Sequence, residues 1–215
     1  MKNKTYSEDI ANAICSFFEE SGVNYYLDEQ RGVILFDMSL NEKLKKIHCK
    51  IRIDEDCYTV YGYSPINVDE DDDRMMTEMA HFIACANYNM VRCHFDLDER
   101  DGEILAKSFV PCEGIVPTER MVALSIGGVR AAFELYGDGI VDIIFGDVAK
   151  VKAAKERADA NLEKLKMLIR KRRMERENEE IASESSVDTE GTTADGSHAV
   201  DEIKPELFGL KGGNA

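Results

Sequence analysis

Apolar positions along the chain fall into stretches of two periods, three to four residues and two. Residues 7–20 open with Ser7, Glu8 and Asp9, an N-cap followed by acids, and then place Ile10, Ala13, Ile14, Phe17 and Phe18 at helical spacing. Gly22 is placed to end that helix. Tyr25 and Tyr26 open an extended run that reaches a turn at residues 28–32. Residues 33–38 form an apolar run of strand length. Residues 47–53 alternate Ile47, Cys49, Ile51 and Ile53 with His48, Lys50 and Arg52, the pattern of a strand buried on one face. Residues 57–63, rich in Tyr, Thr and Val, read as the third strand of an antiparallel meander. Residues 74–87 read as a helix with Met75, Met76, Met79, Phe82, Ile83 and Ala86 on its apolar side. Two strands follow, at 91–97 and 103–110, joined by a turn closed on Gly102. A last helix opens near Thr118. Gly127 and Gly128 weaken it, and Gly137-Asp138-Gly139 is expected to break it.

The predicted order is therefore α-β-β-β-α-β-β-α. Strands and helices come in separate blocks with short strand connections. That pattern favours an α+β fold with an antiparallel sheet covered by helices over a doubly wound parallel one. Residues 1–146 are assigned to this domain. Residues 147–182 are rich in Lys, Arg, Glu, Ala and Leu and are read as a long charged helix. Its stripe of Val151, Ala158 and Leu165, with Ala154 and Leu168, suggests a short coiled coil interrupted at Asn161. Residues 183–215 are polar and small, the composition of a disordered acidic tail, with an apolar motif at 203–210.

Composition changes this picture in one respect. The chain has 215 residues and a net charge of -15. Residues 1–146 carry 14 Lys+Arg and 27 Asp+Glu. Residues 147–180 are net basic, and 181–215 hold 2 Lys+Arg against 7 Asp+Glu. Acidity argues against nucleic acid as a general partner. The argument weakens at the basic cluster of residues 170–173, which the following acids pair internally. No run is long and apolar enough for a membrane span, and no basic-then-apolar leader opens the chain. The expectation is a cytoplasmic protein with no membrane partner.

A family resemblance rests on particular residues. Asn87, Tyr88 and Asn89 precede a strand closing on Phe95, Asp96, Leu97 and Asp98. Asp101-Gly102 makes a turn into Glu103 and Ile104, and Val110, Pro111, Cys112, Glu113 and Gly114 close the second strand. Over residues 6–146 this order resembles the YbjN family, bacterial proteins described as putative sensory transduction regulators. The resemblance implies the fold of type III secretion chaperones, whose members often dimerise and bind protein segments. It implies no catalytic residues and no cofactor, and a homodimer with a protein client as partner.

The residues support a protein-binding reading and leave one enzymatic alternative. Met75, Met76 and Met79, with Met90 and Met121, are adaptable thioethers that suit a binding groove, or else fill the core. Leu207, Phe208 and Leu210 are apolar anchors at the end of a polar tether, suited to docking on a partner. The six cysteines contain no C-x-x-C pair and read as free thiols. His81 and Cys85 stand four apart on the middle helix, with Cys93 and His94 beyond it, so a metal or thiol enzyme is the alternative. Cys93 and His94 point to opposite faces of a strand, so only one can join such a set. The acids at 69–73 lack calcium-loop spacing and suit the positive end of a helix instead. No G-x-S-x-G or phosphate-loop signature is present.

Overall fold

The computed structural model describes residues 5–146, 160–164, 166–167, 170 and 171. Within residues 5–146, three helices and six strands are formed: α1 (Glu8–Glu20), β1 (Tyr25–Asp28), β2 (Val33–Ser39), β3 (Lys46–Ile53), β4 (Cys57–Tyr63), α2 (Asp73–Asn89), β5 (His94–Leu97), β6 (Ile104–Pro111) and α3 (Glu119–Phe145). The strands make one antiparallel sheet in the order β1-β2-β3-β4-β6-β5. The fold is α+β, with the expected blocks of strands and helices.

Caps fix where each helix starts. Ser7 accepts from the Ile10 N–H, Asp72 from Met75 and Thr118 from Met121. Of the acidic run, Asp72 is the cap and Asp73 the acid of the first turn, as the helix dipole favours.

Two expectations are corrected. The first meander has four strands, not three. Tyr25–Asp28 pairs with Val33–Phe36 as a short edge strand. Four residues are too few to show an alternation, and the pattern of half-buried and exposed positions here carries none. The second correction is at Gly137-Asp138-Gly139. Here α3 runs unbroken for 27 residues. These glycines allow close approach rather than a break. A Cβ on Gly139 would lie 2.3 Å from Cζ of Phe82, so α2 and α3 touch where a side chain is missing. Gly128 differs, because a Cβ there would meet nothing closer than 3.7 Å.

Those two positions carry opposite expectations. Gly139→Ala recovers about 1 kcal/mol of helix propensity but overpacks against buried Phe82 at a cost of about 1–3 kcal/mol. It lowers stability. Gly128→Ala takes the propensity gain without the clash and raises stability by about 0.5–1 kcal/mol. Urea unfolding of the full chain checks both signs.

The core lies between the helices and one sheet face. Ile34, Phe36 and Met38 of β2, Ile47, Cys49, Ile51 and Ile53 of β3, and Tyr58 and Val60 of β4 are buried there. So are Phe95 of β5 and Ile104 and Ala106 of β6. Phe18 of α1 packs on Phe36, with ring centres 4.8 Å apart. Phe133 and Tyr136 of α3 meet Phe95 edge-on, and Phe82 of α2 meets Tyr136. All three helices thus pack on the same face.

Residues 160–164, 166–167, 170 and 171 are helical, with Lys166 and Glu163 paired at 2.9 Å. Most of the charged helix and its coiled-coil stripe, the tail 183–215 and the motif 203–210 lie outside the described residues. Among the described residues no helix is long and apolar enough to cross a membrane.

Candidate protein-binding face

Helices on one side leave the other face of the sheet with no helix of 5–146 against it. Strand alternation decides which residues stand there. From β1 come Tyr26 and Asp28, and from β2 come Val33, Leu35, Asp37 and Ser39. Lys46, His48, Lys50 and Arg52 come from β3, and Thr59, Tyr61 and Tyr63 from β4. Leu105, Lys107 and Phe109 come from β6, and His94 and Asp96 from β5. Of these only Thr59 is buried. Tyr26 is 64% exposed, Leu35 44% and Phe109 59%.

Register places these side chains in rows across the strands. Tyr26, Leu35, Lys50, Tyr61, Lys107 and His94 form one row. The next holds Asp37, His48, Tyr63, Leu105 and Asp96. Cross-strand neighbours then interact. The Lys50 ammonium sits 5.0 Å from the Tyr61 ring centre and 5.1 Å from that of Tyr63. The two rings stack at 6.4 Å. Asp37 takes Lys46 at 2.7 Å and His48 at 2.6 Å. The Lys46 hydrogen bond holds the Asp37 carboxyl below its usual range, against a smaller desolvation effect, with His48 adding to it. Asp96 pairs with Lys107 and lies 3.8 Å from His94.

The electrostatics of this face depart from those of the chain. Lys46, Lys50, Arg52 and Lys107 stand here with Asp28, Asp37 and Asp96, and Arg52 also pairs with Asp54 at 3.1 Å. An acidic protein therefore presents one face that is not acidic and carries exposed aromatic groups. A hollow of about 530 Å³ adjoins it at the β1 edge, lined by Asn24, Tyr26, Leu35, Asp37 and His48 among others. β1 pairs β2 only as far as Phe36, so the outer edge of β2 at Asp37–Ser39 borders this hollow.

The sites expected from sequence are elsewhere. Met79 is fully buried and fills the core. That corrects its place in an open groove. Met75 and Met76 are half-buried on α2, apart from the open face. Leu207, Phe208 and Leu210 lie outside the described residues. His81 and Cys85 do come together, with Nε2 and Sγ 3.8 Å apart. Cys93 is buried on the helix side, where desolvation pushes its thiol up to about 12, and His94 stands on the open face. Among the described residues no group of three or more His, Cys, Asp or Glu is placed to hold a metal.

The alternation at 47–53 already marked His48, Lys50 and Arg52 as outward. Sequence could not mark them as neighbours of Tyr61, Tyr63 and Lys107, because strand order and register are long-range. No family model, curated protein or solved structure matches this chain.

Proposed function

We propose that this chain is a noncatalytic, chaperone-like or regulatory protein-binding module of the YbjN type, acting in the cytoplasm as a homodimer. Its open sheet face holds an extended segment of a protein client. The observation that carries this reading is the cationic and aromatic surface built by Lys50, Tyr61, Tyr63 and Lys107 on an otherwise acidic domain. Aromatic rings give contact area at low entropic cost, and lysines select carboxylates. Such a surface suits an acidic segment with apolar anchors.

The test uses the full chain and an extended synthetic peptide of alternating Glu and aromatic residues. The double substitution of Lys50→Glu with Tyr61→Ala is expected to weaken binding about tenfold or more, as loss of a central contact pair does. Circular dichroism verifies that the variant is folded. Unchanged affinity sinks the proposal. Tighter binding of a single-stranded RNA of equal length, lost in the same variant, replaces it with a nucleic-acid reading.

A further inference from the structure

We infer that the open sheet face is occupied by this chain's own residues 201–210. The inference rests on the protein-binding reading of that face and names its occupant. Charge complementarity is the first argument. On the face Lys46 pairs with Asp37, Arg52 with Asp54 and Lys107 with Asp96, and Lys50, seated over Tyr61 and Tyr63, is the cation turned to an incoming carboxylate. The segment brings Asp201, Glu202 and Glu206 against Lys204, within a stretch, 181–215, of 2 Lys+Arg and 7 Asp+Glu. The domain's other surfaces hold most of its acids and repel such a segment.

Apolar matching is the second argument. Ile203, Leu207, Phe208 and Leu210 stand among these acids. On the face, Tyr26, Leu35 and Phe109 are the large exposed apolar side chains. Pro205 has no N–H to give to a sheet edge. A segment lying across the face through its side chains does not need that donor.

The third argument is reach. Residues 147–202 separate the end of the domain from the segment. A random coil of that length has an end-to-end distance of about 40 Å, against a domain radius of gyration of about 15 Å. Residues 160–164, 166–167, 170 and 171 are helical and rise only about 1.5 Å each, a small deduction from that reach. Tethering of this kind sets an effective concentration on the order of 1 mM. A segment of modest intrinsic affinity is then held by its own domain, and a client must displace it. The tail becomes a built-in competitor that sets the threshold for client binding.

The chain contains no Trp, so Phe208→Trp in the full-length protein gives a reporter without background. Iodide and acrylamide quenching is compared with a free peptide of residues 199–212 carrying the same Trp. Quenching is expected to be about twofold weaker or more in the protein, because most tails are docked at a millimolar effective concentration. Charge reversal of the face (Lys50→Glu with Lys107→Glu) should restore peptide-like quenching. So should reversal in the tail (Asp201→Lys, Glu202→Lys and Glu206→Lys), which leaves the domain's own sequence untouched. Quenching equal to the free peptide overturns the inference. Protection that ignores both charge reversals overturns it as well, because the segment then docks elsewhere. Protection lost on dilution overturns the intramolecular form in favour of exchange between copies. A free tail with retained binding of the Glu-aromatic peptide defeats only this inference. A free tail with no peptide binding defeats the function too.

Discussion

Gly102→Ala is expected to cost about 3–5 kcal/mol, a large part of the 5–15 kcal/mol that holds a domain together. Gly102 sits in the β5–β6 turn with φ at +67°. An L residue pays about 1–2 kcal/mol there. The remainder comes from contact. A Cβ on Gly102 would lie 1.9 Å from the carbonyl oxygen of Val68 and 2.8 Å from its carbonyl carbon. Both atoms are backbone and have no rotamer to escape into. The same carbonyl region is tied down, because the Val68 N–H donates to the Gly102 carbonyl at 3.0 Å and Val68 is buried. Relief therefore means separating the turn from the segment that follows β4, with loss of that bond. Gly114→Ala is the control. Gly114 has φ at +84° and nothing within 4 Å of its would-be Cβ, so it pays only the conformational cost of about 1–2 kcal/mol. Urea midpoints of the two full-length variants separate clash from strain. Equal losses would show that Val68 moves freely.

Gly102 also shows what a sequence reveals and what it hides. An Asp-Gly pair between two strand-like runs identifies the turn from local chemistry alone. The carbonyl that fills the Cβ position comes from a segment more than thirty residues earlier, and no local rule points to it. The same division runs through the fold. Caps at Ser7 and Thr118, the alternation of β3 and the apolar stripe of α2 are local, and they are where sequence places them. β1 is too short for a period, so its pairing with β2 supplies the evidence instead. Gly137 and Gly139 look like breakers by propensity, yet tertiary packing keeps the helix whole. At the candidate site, the outward residues of β3 were legible as an exposed row. Their company was not, since Lys50 meets Tyr61 through β3–β4 pairing and Lys107 enters by a crossover past α2 and β5. Methionines attracted the binding reading on chemistry, and burial assigned Met79 to the core.

Asn87→Ala should cost about 2–4 kcal/mol, through a residue whose place near the end of α2 was marked by resemblance alone. Its Nδ2 donates to the Phe95 carbonyl at 2.9 Å, and its Oδ1 accepts from the Phe95 N–H at 2.7 Å. One side-chain amide thus satisfies both backbone groups of one residue, as a neighbouring strand would. β5 is an edge strand of four residues, and Phe95 is the one it buries in the core. The Asn87 clamp blunts that edge and locks α2 to it. Alanine leaves both backbone groups unpaired beside the core, at about 1–3 kcal/mol for each that water does not reach. Asn87→Asp keeps the acceptor, loses the donor and sets a carboxylate against a carbonyl, so it does not rescue. Asn89→Ala is the matched control. Its amide makes only a 3.4 Å bond to the Cys85 carbonyl within the same helix, and the expected change stays within about 0.5 kcal/mol. Amide hydrogen exchange reads the mechanism directly. The Phe95 N–H should lose protection in Asn87→Ala ahead of global unfolding, while amides of β3 keep theirs. Retained Phe95 protection would mean that β5 is held by β6 alone.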